Sequence, residues 1–104
     1  MADAHVGTLD KLKVLTDTYS DTVELERILS KLLEVILSQH RLRLERYERD
    51  LRDFERRYGM ETLTFYQRFE AGELGDAIDY FEWASLCELR QNLIEKIRRL
   101  ELAL

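Results

Sequence analysis

The chain contains no proline, only four glycines and one cysteine. Because proline interrupts helices and glycine weakens them, their scarcity favours long unbroken helices. The single cysteine, Cys87, excludes a disulfide within the chain. No stretch approaches the roughly 20 consecutive apolar residues that a membrane-spanning helix needs. The N-terminus, MADAHVGTLDK, lacks the apolar run of a secretory signal, so we expect a cytoplasmic protein.

The composition indicates a small all-α protein. Charged residues make up 36% of the 104 residues and hydrophobic ones 45%, a balance typical of long amphipathic helices. This length predicts one domain over residues 1–104 with a thin core, which favours self-association into a homodimer or a higher even oligomer. The net charge of −5 argues against nucleic acid as the main ligand, because nucleic-acid binding depends on neutralising phosphates.

Local signals divide the chain into a leader and three helices. Residues 1–20 are predicted to be a partly mobile leader with about two turns of helix at Leu9, Leu12 and Leu15. The predicted helices cover residues 21–58, 62–71 and 76–103, the last running antiparallel to the first in an oligomeric helical bundle. The signals for their starts are Asp21, Thr62 and Asp76, and those for the breaks are Gly59, Gly72 and Gly75.

The long helix has two different apolar patterns. Its second half shows a heptad stripe with alternating steps of three and four residues, formed by Leu33, Leu37, His40, Leu44, Tyr47, Leu51, Phe54 and Tyr58. Its first half is apolar on more than one side, and the shorter last helix cannot cover it. We therefore predict an oligomer interface formed by Leu25, Ile28, Leu29, Leu32, Leu33, Val35, Ile36 and Leu37.

Residues 60–89 hold seven carboxylates and a single arginine. Asp76, Asp79 and Glu82 share one side of a helix, as metal ligands would, but no Glu-x-x-His motif supplies nitrogen ligands. No metal or cofactor is predicted. A capping and solubility role remains open beside an acidic docking surface for a basic partner.

Two further residue types raise the question of catalysis. His40 lies in the heptad stripe without a second internal histidine or a paired carboxylate stripe, so it is expected to pack or to fix the helix register. Cys87 has no basic neighbour closer in sequence than Arg90, which is typical of an inert thiol. Glycine-rich phosphate loops, nucleophile elbows and zinc-binding spacings are absent from the sequence. No enzymatic activity and no catalytic residue are predicted.

The aromatic residues concentrate in the same stretch as the carboxylates. Phe65 and Phe69 are expected in the core, whereas Tyr66, Tyr80 and Trp83 are either core residues or contacts for a partner, since Tyr and Trp are favoured at binding hot spots. The predicted partner-binding surface lies in residues 58–83 and consists of Tyr66, Glu70, Glu73, Leu74, Asp79, Tyr80, Glu82 and Trp83.

This stretch also resembles a known family. The series RYGMETLTFYQRFEAGELGDAIDYFEW contains Tyr-Gly-Met, Phe-Tyr-x-x-Phe, Gly-Glu-Leu-Gly-Asp and Phe-Glu-Trp elements in an order similar to that of TumA-type antitoxins. The resemblance covers about residues 45–103, while the first 40 residues depart from the family. The matching motif positions are Phe65, Tyr66, Phe69, Gly72, Glu73, Leu74, Gly75, Asp76, Phe81 and Trp83.

The resemblance implies a prokaryotic, non-enzymatic helical protein that binds and neutralises a basic toxin-like protein of the TumE family. A second class of function stays open beside it. In that alternative, the chain is a structural coiled-coil module whose role is self-association. A neighbouring gene for a small basic protein would favour the first class, and an isolated gene the second.

Overall fold

The computed structural model describes residues 7–104, so the beginning of the predicted leader lies outside the described residues. This part of the chain forms four helices and no strand: α1 Thr8–Thr18, α2 Thr22–Tyr58, α3 Thr62–Glu70 and α4 Ile78–Ala103. The all-α prediction is confirmed. Within residues 7–104, no helix combines the length and the apolarity required to cross a membrane.

Both ends of α2 follow the predicted local signals. At the start, the Asp21 carboxylate accepts a hydrogen bond from the backbone N–H of Glu24 at 3.0 Å, which satisfies a donor that the helix itself leaves free. At the end, Gly59 takes the left-handed conformation with φ of +60°, and its N–H donates to the carbonyl of Glu55. This conformation is costly for any residue with a side chain.

The predicted caps of α3 and α4 are wrong. Thr62 is the first residue inside α3, and its backbone N–H donates to the Glu55 carboxylate of α2 at 2.8 Å. A side chain of α2 therefore accepts a hydrogen bond from a free N–H at the start of α3, in place of the cap expected from Thr62. Ala77 stands at the cap position of α4 without a side-chain hydrogen bond, and Asp76 lies one residue too early to cap.

The two glycines of the connection between α3 and α4 differ. Gly72 has φ of +73°, as expected for a residue that ends a helix. Gly75 has no positive φ, so the expected conformational requirement for glycine at this position is wrong.

Helix α4 packs back along the second half of α2 in the antiparallel direction. Three cross-helix ion pairs mark successive levels of the contact: Arg57 with Asp79 at 2.9 Å, Glu48 with Arg90 at 3.1 Å, and Arg41 with Glu101 at 2.7 Å. Every residue of the predicted heptad stripe from Leu33 to Tyr58 is buried or half-buried. The stripe is therefore the face of α2 that lies against the rest of the chain.

The core consists of two clusters along this contact. The first joins α2, α3 and α4 around Leu51, Phe65, Trp83 and Ala84. The second lies further along the helix pair, where Leu37 of α2 packs with Leu93 and Ile97 of α4. Leu37 was predicted to contact a partner chain, but α4 of the same chain already covers it.

The sequence predicts one apolar stripe for α4, and the buried face of the helix differs from it. The predicted stripe consists of Ile78, Phe81, Leu86, Leu89, Leu93, Ile97, Leu100 and Leu104. Ile78, Phe81 and Leu89 belong to that stripe, yet they are 75%, 54% and 49% exposed. Trp83 and Ala84 are buried in their place, because Trp83 is the residue that stacks on α3. Phe81 keeps only an edge contact with Phe69 of α3, with ring centroids 5.5 Å apart, and more than half of its surface stays exposed.

The N-terminal part of the structure has little cover from the same chain, and Leu25 is the one buried residue in the range 7–35. The end of α4 reaches only as far as Ile36 and His40 of α2, beside which Ala103 lies. About 14 residues at the start of α2, roughly 20 Å of helix, therefore project beyond α4. None of the residues of α1 is buried.

Replacement of Gly59 by alanine is expected to destabilise the chain through backbone strain alone, because an added Cβ atom would meet nothing within 4 Å. We expect Gly59→Ala to cost about 1 kcal/mol and to lower Tm by roughly 4–8 °C. Gly75→Ala is the matched control, since its Cβ also meets open space and its φ is not positive. Equal Tm values for both variants in thermal melts would contradict the assigned role of Gly59.

Candidate functional site

The stretch of residues 58–83 holds most of the aromatic residues. It forms the end of the molecule where α2, α3 and α4 meet, and we call this the closed end. The ring of Trp83 stacks on Phe65 with centroids 3.8 Å apart and planes 3° apart, and on Phe54 at 5.5 Å and 10°. Its indole N–H donates to the hydroxyl of Thr62 at 3.2 Å. One side chain of α4 thus fixes both α3 and the end of α2.

The predicted role of Trp83 as a partner contact needs correction. Trp83 and Phe65 are the largest fully buried side chains, with no exposed surface. Tyr80 is half-buried beside Phe65, with ring centroids 5.9 Å apart, and Leu74 packs against the same cluster. Trp83, Tyr80 and Leu74, which were predicted to bind a partner, therefore belong wholly or partly to the core. Most of the aromatic residues concentrated in this stretch pack inside the chain.

Asp79 is also engaged within the chain. Its carboxylate accepts hydrogen bonds from the Tyr58 hydroxyl and from the Arg57 guanidinium, the latter at 2.9 Å. These hydrogen bonds lower the pKa of Asp79, and the one from Tyr58 has the largest effect. The position of Asp79 in the first turn of α4 favours its charge further. Asp79 therefore ties α4 to the end of α2.

Tyr66 lies between two carboxylates at the surface of α3. Its hydroxyl donates to Glu88 of α4 at 3.2 Å. A hydrogen bond with Glu70, then partial burial and then Glu88 raise the pKa of Tyr66 to about 12. The hydroxyl thus stays protonated and acts as a donor at neutral pH.

The remaining predicted carboxylates are at the surface. Glu73 forms a long surface ion pair with Arg68 at 3.7 Å, of the kind that contributes little to stability. Glu70 and Glu82 are exposed, and within residues 7–104 neither forms an ion pair. Glu82 lines a different cavity from Tyr66. The structure therefore does not bring the predicted partner-binding residues together on one surface.

A groove with an apolar floor lies between α2 and α4, and we call it the α2–α4 groove. Its volume is about 650 Å³. Its lining consists of Asp50, Asp53, Phe54 and Arg57 from α2 and Ile78, Phe81, Glu82, Ser85, Leu86 and Leu89 from α4. Ile78, Phe81 and Leu89 were missed as surface residues because they continue the apolar pattern of α4. The excess of apolar positions on α4 over those of a single stripe was the signal that could have found them.

A second cleft of about 610 Å³ lies between α2, α3 and α4. Tyr66, Cys87 and Arg90 contribute to its walls, and Arg90 is paired there with Glu48 at 3.1 Å. Burial raises the pKa of the Cys87 thiol to about 11, so this thiol is protonated at neutral pH. A protonated thiol is a weak nucleophile, in agreement with the expected inert role of Cys87.

The described residues contain no group of three or more His, Cys, Asp or Glu side chains that could hold a metal ion. His40 is half-buried beside Leu100 of α4, with Lys96 and Arg99 nearby. This position agrees with a packed histidine in the helix contact.

The predicted oligomer interface falls into three groups by burial. Leu25 and Leu37 are buried within the chain, so neither is free to contact a partner. Leu29, Leu33 and Ile36 are half-buried. Ile28, Leu32 and Val35 are 47%, 53% and 53% exposed, and they form the open part of the predicted interface.

Comparison of the chain with protein families, with characterised proteins and with solved structures finds no match.

Truncation of Trp83 is expected to unfold the closed end. Trp83→Ala removes both ring stacks and the hydrogen bond to Thr62, and such large-to-small changes in a core cost about 3–5 kcal/mol. Phe81→Ala is the control, because Phe81 lies on the same helix but is 54% exposed. Urea unfolding of both variants measures the difference. A Trp83→Ala loss no larger than that of Phe81→Ala would show that the stack does not stabilise the fold.

Proposed function

We propose that this protein is a non-enzymatic helical interaction module that self-associates as a homodimer or a higher even oligomer. The observation that carries the proposal is the row of Ile28, Leu32 and Val35, each about half exposed, on the part of α2 that projects beyond α4. Their spacing of four and three residues places them on one side of the helix. Contiguous exposed apolar surface of this kind is typical of protein–protein contacts.

The size of the chain supports the same proposal. The two core clusters contain few fully buried side chains, since most of the apolar residues of the first half of α2 face away from α4. An exposed face on a projecting helix gains stability only when another chain covers it. A second copy provides such cover, because its own projecting half has the same unmet apolar surface.

Self-association is tested by analytical ultracentrifugation of the full chain at micromolar concentration. The parent is expected to sediment as a dimer or larger, and Ile28→Glu with Leu32→Glu should give a folded monomer, since charge on a buried apolar face is costly. Leu63→Glu with Leu102→Glu is the matched control, because these leucines are 69% and 80% exposed elsewhere on the chain. A monomeric parent would refute the proposal.

A second candidate is the antitoxin-like function, in which the region of residues 58–83 binds and neutralises a basic partner protein. The observation that favours it is that Glu70, Glu73 and Glu82 remain exposed around this region. The resemblance to TumA-type antitoxins adds to this candidate. Because Trp83 and Asp79 are used inside the fold, the exposed carboxylates carry the proposed contact.

The second candidate predicts a salt-sensitive association with the basic protein that co-purifies from the native host. Glu70→Gln with Glu73→Gln should slow association by roughly tenfold at low salt, because acidic side chains steer basic partners. Glu45→Gln with Glu95→Gln is a control of equal charge, since both residues are exposed outside residues 58–83. Equal association rates for the two double variants in surface plasmon resonance at two salt concentrations would reject this candidate.

A further inference from the structure

Helix α2 has a second stripe on the side roughly opposite its contact with α4, and we call it the outer stripe. Its members follow the alternating steps of four and three residues of a heptad seam. They are Ile28, Leu32, Val35, Gln39, Leu42 and Arg46. The four apolar members are between 47% and 61% exposed, so the chain itself leaves them largely open. The outer stripe thus has the pattern of a surface that a second helix covers.

One edge of the outer stripe carries charges of both signs. It repeats every seven residues through Glu24, Lys31, Ser38, Glu45 and Arg52. When two such helices pack antiparallel, this edge of one helix faces the same edge of the other, and the charges there decide orientation and register. Lys31 and Glu45 are exposed, and neither forms an ion pair within residues 7–104. Both charges can therefore meet a partner chain.

Three antiparallel alignments of two copies bring apolar members of the two outer stripes together, and each differs from the next by one heptad. The first alignment packs Ile28 on Leu32 of the second copy. It also sets Lys31 against Lys31 of the second copy, so that two like charges meet at the edge. It leaves Leu42 without an apolar contact. This alignment is therefore disfavoured.

The second alignment is also unfavourable. It sets Glu24 against Glu45 of the second copy, and symmetry repeats this contact between like charges. It places Leu42 on Leu25 of the second copy, which is only 9% exposed and is thus already covered within its own chain. Leu42 gains little apolar contact there.

The third alignment has neither defect. Its two-fold axis passes the helix pair at residue 37. Leu32 then packs on Leu42 of the second copy, and each of these side chains is more than half exposed in the single chain. Lys31 faces Glu45 of the second copy, so opposite charges meet at the edge, and symmetry repeats both contacts.

A parallel pair of α2 helices is disfavoured by its charges. The parallel arrangement sets each member of the outer stripe against its own copy, which brings Arg46 against Arg46 within the seam. At the edges it sets Glu45 against Asp50 of the second copy, since parallel helices align edge positions five residues apart. Like charges therefore meet at both places.

We propose that two copies of this chain pack antiparallel through their outer stripes, with the two-fold axis at residue 37 and Lys31 of each copy paired with Glu45 of the other. This inference rests on the proposed self-association and names its orientation, its register and its ion pair. The contact extends from Ile28 to Arg46 of each copy, and the aliphatic part of Arg46 covers Ile28 of the other copy.

The antiparallel arrangement separates the two closed ends. Helix α2 ends at Tyr58, about 31 Å from the two-fold axis at residue 37. The two closed ends thus lie roughly 60 Å apart, at opposite ends of the dimer. The exposed carboxylates of residues 58–83 lie outside the contact in both copies.

Charge reversal at the paired positions tests the register. Lys31→Glu and, separately, Glu45→Lys should each raise the dimer dissociation constant roughly tenfold at low salt, because two ion pairs become two contacts between like charges. Glu34→Lys is the matched control, since Glu34 is exposed on the same helix but away from the outer stripe, and it should change the constant by about twofold at most. All three residues are exposed, so circular dichroism should show the parent helix content.

An equimolar mixture of the two single variants tests the antiparallel orientation. The heterodimer of Lys31→Glu with Glu45→Lys contains one native ion pair and one pair in which both charges are exchanged. Its dissociation constant should therefore return to within about threefold of the parental value. In a parallel pair, positions 31 and 45 lie about 21 Å apart along the helices, so the mixture would not restore affinity.

Cross-linking tests the same contact without a change of charge pairing. In a Cys87→Ser background, a mixture of Lys31→Cys and Glu45→Cys chains should be joined by a short bismaleimide. Each of these variants alone should not cross-link, because the third alignment keeps the two copies of either position about 20 Å apart. Efficient cross-linking of Lys31→Cys alone would instead indicate the first alignment or a parallel pair, and would overturn the proposed register.

The outcomes separate this inference from the proposed function. Suppose that the parent is a dimer which Ile28→Glu with Leu32→Glu dissociates. If both charge reversals then match Glu34→Lys and the mixed cysteine variants do not cross-link, the antiparallel register is overturned and the self-association is kept. A monomeric parent would overturn both.

Discussion

The stack of Trp83 on Phe65 is the contact on which the closed end of the molecule depends. Helix α3 has only nine residues, and isolated helices of that length are marginal in water, so its stability must come from packing. Phe65 supplies that packing, and the hydrogen bond from the Trp83 indole to Thr62 fixes the start of the same helix. The Glu55 carboxylate completes this start from α2. The aromatic cluster and these two polar contacts thus hold three helices together, beside the hydrogen bonds from Tyr58 to Asp79 and from Tyr66 to Glu88.

Much of the helical layout could be predicted because its causes are local. Asp21 and Gly59 act through their own backbone neighbours, so their roles are readable from the sequence. The cap of α3 was missed because its acceptor, the Glu55 carboxylate, comes from another helix. The cap of α4 was missed because no side chain caps that helix. The inner face of α4 was misread for a related reason: periodicity shows that Phe81 and Leu89 are apolar, but only the position of α3 decides that Trp83 is the residue that turns inward.

The candidate site was harder to predict than the fold. An acidic composition does not reveal which carboxylates already form hydrogen bonds or ion pairs within the chain. The Asp79 carboxylate binds Tyr58 and Arg57, and the Glu48 carboxylate binds Arg90. These charges therefore stabilise the helix contact and contribute less to the electrostatic field around the protein. Glu70 and Glu82 are exposed on different sides of the chain. The sequence therefore located the negative charge correctly by segment but could not assign it to one surface.

The two halves of α2 differ in how far the rest of the chain covers them. In the second half, α4 covers the heptad stripe, and ion pairs at three levels lie at the edges of that contact. In the first half, apolar residues occur on more than one side, while α4 ends near Ile36. The same helix therefore presents Leu37 to its own chain and Leu32 to the outside. On the outer side, the same three- and four-residue steps lead from Ile28, Leu32 and Val35 to Arg46, Arg49 and Asp53. The outer side of α2 therefore changes from apolar to charged along its length.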